Sequence, residues 1–320
     1  MSTDLARAHI DVVRSLRPLP IRDRPRAGGP VCALTVDVED WYQSCVDFDA
    51  PISDRVVRNM ALLHGVLGEA GVKATFFIQG LVAEAHPGVV KDLVAEGHEV
   101  QSHAHTHRPL DRMTREELRQ ELERGRAAVE EAGGVQVSAF RAPDFTIGPD
   151  NLWALEVVAE AGFRVDSSIF PMRTRRYGIA GWELGPHRIE LSGGGELLEV
   201  PVAVWPLGRL RVPVAGGGYV RLAPHIALQW FLSHIVAAGR PPVVYCHPYE
   251  FNATELEEYR GLAPERFRRQ QGLGRKAFVR RLRGLFEAMP FGRLDHVLDT
   301  WSPDGTEGLL TGGSLDEPAA

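Results

Sequence analysis

Cysteine is scarce in this chain, and its scarcity already limits the class of protein. Three cysteines occur among 320 residues, at spacings that suit neither paired disulfides nor a cysteine-type zinc site. Cys32 and Cys246 stand in apolar, strand-like runs, which predicts buried thiols. We therefore expect a fold that is stabilised by its apolar core, for which the 44% apolar residues are sufficient.

Long apolar runs and an excess of positive charge are missing as well. No run of about 18 apolar residues occurs, so we expect no membrane span. The formal net charge is −6 and the pI is near 6.1, so we expect no nucleic-acid partner. Residues 1–20 carry charges throughout and lack the apolar centre of a signal peptide, which predicts a cytoplasmic protein.

Strand-like and helix-like segments alternate along the sequence. Short β-branched or aromatic runs are followed by segments with helical periodicity, and Thr114 with Glu117 is the signature of a helix capping box. This alternation predicts parallel βαβ units, and hence an α/β fold. The predicted strands are 32–38, 73–79, 98–103, 137–143, 163–168 and 241–246, and the predicted helices are 53–70, 87–96, 114–132, 151–161, 224–238 and 265–288.

Histidines and carboxylates follow several of the predicted strands. His103, His105 and His107 lie in the stretch GHEVQSHAHTHRPL, the acidic run TVDVED occupies 35–40, and His247 ends the run PPVVYCHP. Active sites of parallel α/β folds lie at the carboxyl ends of the strands. Because carboxylates and neutral imidazoles are ligands of borderline metals such as Zn²⁺, we interpret these residues as a candidate catalytic metal site for hydrolysis.

The spacing of the histidines leaves two geometries open. His103 and His107 converge on one point in a helical turn or a compact loop, whereas all three histidines share a face if the segment is extended. Zinc proteases have Glu directly after the first histidine, where this chain has Ala104. A catalytic base must therefore come from another segment, and the acidic run is the obvious source.

Within the acidic run, Asp37 and Glu39 point to the same side if the strand continues through them. Asp40 joins them only if the chain turns at that point. A carboxylate at a strand end is often a helix cap or a surface charge instead, and a single histidine is more often structural than a ligand. The joint placement of these residues at strand ends favours the functional interpretation.

In order along the chain, these motifs resemble those of the polysaccharide deacetylases of the NodB-homology class, carbohydrate esterase family four. The family's TFDDG motif corresponds to TVDVED, which implies Asp37 as the catalytic base. The family's second Asp, a metal ligand, does not carry over directly, because Val38 stands in its place. A D-x-[DE] variant of the motif favours Glu39 as that ligand, with Asp40 as the second choice. The family's histidine motif corresponds to His103 through His107, whose first and last residues would be metal ligands.

Three later motifs complete the resemblance. RAPDF supplies Arg141, which in the family orients the catalytic aspartate, and the strand ending in His247 supplies the general acid. The looser fourth motif corresponds to DSSIF, 166–170. As candidates for the walls of the substrate groove, the resemblance and the sequence together suggest Trp41, Pro143 and Asp166.

The resemblance implies a distorted (β/α)7 barrel and a metal-dependent N-deacetylase. The substrate would be an acetylated polysaccharide or oligosaccharide, and the C-terminal segment looks like the appendage of deacetylases from exopolysaccharide gene clusters. The ligand types favour Zn²⁺, although Co²⁺ or Ni²⁺ would also suit them. The expected organisation is an N-terminal helical segment (1–27), a catalytic domain (28–250), a basic helical extension packed on the barrel (251–300) and a disordered tail (301–320).

Other functions remain open on the sequence alone. An allantoinase-like hydrolase of a small cyclic amide shares the D-x-[DE] variant, and a non-catalytic glycan-binding protein could retain the fold. An Fe(II) oxygenase with two histidines and one carboxylate also fits the ligand set, but leaves Arg141 and His247 without a role. The basic stretch from Arg266 to Arg283 is interpreted mainly as a solvated amphipathic helix, with an anionic polymer or a membrane surface as the lesser alternative.

Overall fold

Parallel strands form the centre of the fold in the computed structural model, which describes residues 12–22, 24–208 and 210–302. Twelve strands occur in the described residues. They are β1 (Val13–Pro18), β2 (Cys32–Val38), β3 (Thr75–Ile78), β4 (Glu99–Ser102), β5 (Ala139–Phe140), β6 (Val165–Asp166), β7 (His187–Leu191), β8 (Glu196–Glu199), β9 (Val204–Leu207), β10 (Leu210–Pro213), β11 (Val243–Cys246) and β12 (Phe291–Gly292).

Helices connect the strands and cover the sheet. Short 3-10 helices occur at Leu110–Arg112, Pro143–Phe145, Pro248–Glu250 and Glu255–Tyr259. The α-helices are α1 (Trp41–Cys45), α2 (Arg55–Ala70), α3 (Gly80–Ala85), α4 (Pro87–Ala95), α5 (Arg115–Gly133), α6 (Ala154–Glu160), α7 (Gly217–Leu222), α8 (His225–Ala237), α9 (Glu265–Gly272), α10 (Arg275–Ala288) and α11 (Leu294–Trp301).

Seven of the strands form a continuous parallel series in the order β8-β6-β5-β4-β3-β2-β11, and the short β12 also pairs parallel with β2. The predicted α/β class is therefore confirmed. Among the described residues the strands do not close into a complete barrel. Instead, the segment that follows β8 contacts β11 through a backbone hydrogen bond from the Ala203 N–H to the Val243 carbonyl, 2.9 Å long.

The apolar core lies between the sheet and the helices. Strand β2 is buried at every position, as expected for a parallel strand that is covered on both faces. Cys32 and Cys246 are both buried in strands, which confirms the prediction of buried thiols. The capping box of Thr114 and Glu117 is also confirmed at the start of α5.

Two predictions about the ends of the chain need correction. Residues 13–18 form strand β1, not a helix, because they pair antiparallel with β7 and extend the sheet. The basic segment 265–288 is two helices, because Gly274 adopts a left-handed φ of 76° where a Cβ would lie 2.3 Å from the Arg221 carbonyl oxygen. The predicted disordered tail lies outside the described residues from position 303 onward.

The loop that follows β4 is held against two helices by close backbone contacts. The N–H groups of Gly80 and Leu81, at the start of α3, donate to the carbonyls of Ala104 and His105 at 2.9 and 3.1 Å. On the other side, Gly125 of α5 packs so closely that a Cβ would lie 2.5 Å from the Ala104 carbonyl carbon. Glycine is therefore required at this position by backbone packing.

We predict that Gly125→Ala lowers the free energy of unfolding by about 1–3 kcal/mol, since the loop backbone must move. Gly65→Ala is the matched control: a Cβ at this exposed position of α2 meets nothing within 4 Å. That variant should gain about 0.5–1 kcal/mol from helix propensity. Urea unfolding of both variants measures the difference, and equal changes in the two would contradict the packing argument.

Candidate functional site

Loops at the carboxyl ends of the parallel strands form one cleft. Asp37 is the second-last residue of β2, His103 follows β4, and His247 follows β11. All three line this cleft together with Glu39 and His107. The sequence prediction that these residues meet at one edge of the sheet agrees with this placement.

Glu39, His103 and His107 form a compact group that could hold a metal ion. One potential ligand atom from each lies within 4.8 Å of the others, and all three side chains are buried. The Nε2 of His103 is 3.8 Å from Glu39 Oε2, and the Nε2 of His107 contacts the same oxygen. Two imidazoles and one carboxylate are a donor set of zinc and related divalent ions, so these residues fit such a cation.

A hydrogen bond and the backbone conformation of the loop orient the two imidazoles. His103 Nδ1 lies 2.8 Å from the Arg141 carbonyl oxygen, which can only accept a hydrogen bond, so Nδ1 carries the proton. The Nε2 atom therefore keeps a lone pair that can bind a metal ion. Ala104 and His107 have φ values of 60° and 61°, in the left-handed region. Two non-glycine residues in that region so close together form a compact loop, which distinguishes between the two geometries left open by the spacing.

Glu121 holds this loop from the neighbouring helix α5. Its buried carboxylate accepts hydrogen bonds from the backbone N–H groups of His105 and Thr106, and from the Thr106 hydroxyl at 2.8 Å. His105 points away from the group of potential ligands, because its Nε2 pairs with Glu84 at 3.0 Å. Glu121 could not be identified from the sequence, since nothing in a helical repeat shows which carboxylate faces a loop.

Burial and the charges of neighbouring side chains together set the pKa values of these three residues. Burial works to raise the pKa of Glu39, but the charge and hydrogen bond of His107 outweigh it and lower that pKa to about 2. Burial lowers the pKa of His103 to about 4, so this imidazole is neutral at pH 7. Burial works to lower the pKa of His107, but the charge and hydrogen bond of Glu39 outweigh it and raise that pKa. An ionised carboxylate beside a neutral imidazole is suited to a cation.

Asp40, the second choice as a ligand, has a different role in the structure. Its Oδ1 accepts from the backbone N–H groups of Tyr42 and Gln43, and so caps α1. Its Oδ2 accepts from the backbone N–H of Ser53 at 2.9 Å and also contacts the hydroxyl of that residue. The turn at Asp40 therefore points its carboxylate into helix capping, while Glu39 faces the histidines.

Asp37 is bound by the fully buried guanidinium of Arg141. The Arg141 Nη1 donates to Asp37 Oδ1 and to Thr35 Oγ1, both at 2.8 Å, and Nη2 donates to Ser167 Oγ at 2.9 Å. The guanidinium also lies 4.2 Å from the centre of the Phe77 ring. This ion pair anchors Asp37 where it lines the cleft, which is the arrangement that the resemblance implies for Arg141 and the catalytic aspartate.

His247 faces the potential ligands and is supported from behind by Glu250. Its Nδ1 is 3.4 Å from Glu250 Oε2, and its backbone N–H donates to the same oxygen at 3.1 Å. Its Nε2 lies 3.9 Å from Glu39 Oε1. Burial opposes its charge, but the hydrogen bond to Glu250 and the charges of Glu39 and Glu250 raise its pKa to about 9.

Glu250 is in turn held by Arg221 and by a close glycine. The Nε of Arg221 is 2.9 Å from Glu250 Oε1. A Cβ on Gly217 would lie 1.6 Å from Glu250 Oε2, so no side chain fits there. Tyr249, the residue before Glu250, donates from its hydroxyl to Glu39 Oε1 at 3.0 Å. Neither residue was identified from the sequence, although both directly follow the His247-Pro248 pair.

The three predicted groove residues do not line the cleft. Trp41 is 1% exposed and packs against Tyr259, with the two ring centres 4.8 Å apart. Pro143 is buried, and Asp166 is buried beside Ser168 and Glu199, where burial raises its pKa. These assignments were wrong because large or polar residues near strand ends can be enclosed by the loops that follow.

Other side chains form the walls of the cleft, and several come from the C-terminal part of the chain. Phe267 and Gln271 of α9 line it, as does Gly218 of α7. The remaining wall is mostly aromatic and basic, with one carboxylate. Its members outside the catalytic candidates include Phe48, Arg112, Asp144, Phe145, Arg176, Tyr177, Tyr245 and Tyr249. Aromatic faces with a few polar groups are typical of small-molecule and sugar sites.

Parts of the chain are similar to known proteins. Residues 28–165 match the family model described as polysaccharide deacetylase, and residues 167–299 match one described as a domain of unknown function, DUF3473. A chitooligosaccharide deacetylase from Sinorhizobium fredii is 38% identical over 116 residues, which are 36% of this chain and 53% of that protein. A peptidoglycan-N-acetylglucosamine deacetylase from Bacillus cereus is 32% identical over 91 residues, 28% of this chain and 33% of that protein.

The matched segment thus spans about half or less of these curated relatives. A Mycobacterium smegmatis structure, provisionally assigned as a polysaccharide deacetylase, aligns with a TM-score of 0.53 at 22% identity. The alignment covers 86% of this chain and 97% of that chain, so the fold is shared along nearly the whole length. Over residues 28–165 the chain is therefore similar to the polysaccharide deacetylases, the family that its motifs resemble.

Proposed function

We propose that this protein is a metal-dependent N-deacetylase that removes acetyl groups from N-acetylhexosamine residues of a polysaccharide or its biosynthetic intermediate. The observation that carries this proposal is one cleft lined by an arginine-bound aspartate, a carboxylate-supported histidine and a group of two histidines and one carboxylate. The names of the two curated relatives, which specify chitooligosaccharide and peptidoglycan N-acetylglucosamine, support an acetylated amino sugar as the substrate.

The proposed reaction divides proton transfer between two residues. Asp37, held by Arg141, accepts a proton from the water that attacks the acetamide carbon. His247 donates a proton from Nε2 to the leaving nitrogen, because its Nδ1 is oriented by Glu250. The C–N bond breaks, and the products are acetate and a free amino group on the sugar. Proton transfer by positioned groups of this kind contributes about 10²–10⁴-fold to a rate.

Glu39, His103 and His107 would hold the cation. When bound, it would polarise the acetyl carbonyl and lower the pKa of the attacking water. Zn²⁺ is favoured by the ligand types, and Co²⁺ or Ni²⁺ would suit the same residues. The hydrogen bond from Tyr249 to Glu39 Oε1 fixes the carboxylate so that Oε2 is directed at the two imidazoles.

The first test is acetate release from N-acetylglucosamine oligomers, with the metal content measured on the same sample. We expect Asp37→Asn to lower kcat by about 10²–10⁴-fold while the metal content stays unchanged, because the neutral amide cannot accept the proton. Acetate release that persists in Asp37→Asn would contradict the assignment of the base. Release from small cyclic amides and not from oligomers would support an allantoinase-like hydrolase instead.

The adjacent residues Glu39 and Asp40 provide a test of the metal ligand. Glu39→Gln should lose bound metal, as judged by elemental analysis after dialysis, since one of three donors loses its charge. Asp40→Ala should keep the metal but unfold at a lower temperature, with a loss of about 1 kcal/mol from the missing helix cap. The reverse pattern would make Asp40 the ligand.

Glu250 is proposed as a positioning residue for His247. We expect Glu250→Gln to lower kcat by about 10–100-fold with little change in KM, because the ring loses its charged acceptor while the cleft keeps its shape. Glu255→Gln is the matched control, since Glu255 is an equally buried carboxylate that pairs with Arg275. Equal losses of kcat in both variants would indicate a general effect on folding.

A further inference from the structure

An apolar surface on the C-terminal half of the chain lies outside the catalytic cleft. The hairpin β9–β10 pairs Trp205 with Val212 and Leu207 with Leu210, so these four side chains share one face of the hairpin. Leu207 and Leu210 are 59% and 68% exposed. The opposite face is anchored to the body of the protein, where Arg211 donates to the Trp182 carbonyl at 2.8 Å.

Helix α8 extends the same surface. Trp230 contacts Trp205, with the ring centres 5.9 Å apart, and Ile226 lies one turn earlier on the same side of the helix. Ile226 and Trp230 are 68% and 51% exposed, although α8 already buries Leu228, Leu232 and Ile235 on its other side. We define the "apolar face" as Trp205, Leu207, Leu210, Val212, Ile226 and Trp230. Exposed apolar residues grouped in this way mark a binding surface.

Cations border the apolar face on one side. The start of α8 packs against α10, and the groove between them is lined by Lys276, Arg280 and Arg283, together with Glu287. Arg283 pairs with Glu69. Lys276 and Arg280 are exposed, and neither forms an ion pair with any part of the chain that the structure describes. Two unpaired cations beside exposed Trp, Leu and Ile side chains are complementary to a partner that has an apolar interior and anionic groups at its surface.

We propose that the apolar face docks the protein on a lipid bilayer that contains anionic lipids. Trp230 and the hairpin leucines would enter the boundary between headgroups and acyl chains, while Lys276 and Arg280 would contact the anionic headgroups. No helix in the described ranges is long and apolar enough to cross a membrane, so this would be a peripheral contact. A second copy of the chain is a weaker candidate, because a two-fold contact through the same face brings the unpaired cations of both copies together.

Two further exposed leucines follow residues of the cleft directly in the chain. Arg221 and Gln271 line the cleft, while Leu222 and Leu273, one and two residues further on, are 61% and 56% exposed. The proposal does not depend on the deacetylase activity, since it can be tested by binding alone.

Co-sedimentation with vesicles tests the proposal. We expect the full-length protein to sediment with vesicles of phosphatidylcholine and phosphatidylglycerol, and much less with phosphatidylcholine alone. The double variant Leu207→Glu with Leu210→Glu should bind about tenfold more weakly, because two exposed apolar side chains are lost from the contact. Leu62→Glu, at a leucine 47% exposed on α2, is the matched control and should bind like the wild type.

Charge-reversal variants and added salt test the contribution of the cations separately. Arg280→Glu should weaken binding to the anionic vesicles, and added salt should reduce the difference from the wild type. Lys91→Glu is the control for net charge and should have a smaller effect, because Lys91 is an exposed lysine on α4 that forms no ion pair within the described ranges. Quenching of tryptophan fluorescence by brominated lipid should decrease in Trp230→Phe.

Two outcomes would overturn the proposal. One is a wild-type protein that does not sediment with the anionic vesicles, and the other is equal binding by the leucine double variant and its control. If light scattering shows a dimer that the double variant converts to a monomer, and vesicles are not bound, the apolar face is a contact between copies. Circular dichroism and thermal unfolding of each variant confirm that the fold is retained, so a loss of binding can be assigned to the surface.

Discussion

The buried guanidinium of Arg141 is the interaction on which the rest of the site depends. It binds side chains that follow or belong to separate strands, Asp37 and Thr35 in β2 and Ser167 after β6. The carbonyl of the same residue accepts from His103, so one residue orients both the proposed base and a potential metal ligand. A buried cation without such partners would cost several kcal/mol, which requires that these contacts form together with the fold.

The strand order explains why these groups can meet at all. In a parallel sheet every carboxyl end is at the same edge, so residues 37, 103, 141 and 247 converge although they are far apart in the chain. The backbone adopts unusual conformations and close contacts where these residues converge. Ala104 and His107 adopt left-handed conformations, and Gly125 must lack a side chain for α5 to approach.

The two family models divide the chain at residues 165–167, but the sheet and the cleft do not follow that division. Strands β8 and β11, which are in the second segment, pair with β6 and β2 of the first. His247, with its supporting residues Glu250 and Arg221, also belongs to the second segment. Because half of the proposed proton-transfer machinery comes from there, the second segment is an integral part of the site.

The sequence by itself determined the class of fold, the strands that carry the site and the residues with potential for chemistry, because these follow from local patterning and from motifs. It could not determine which carboxylate faces the histidines: Glu39 and Asp40 are adjacent, and the turn into α1 separates them. The support of His247 by Glu250 and of the histidine loop by Glu121 was equally invisible. Trp41 and Asp166 were misplaced for the same reason, since burial at a strand end is decided by the loops and helices that pack over it, and those contacts exist only in the tertiary structure.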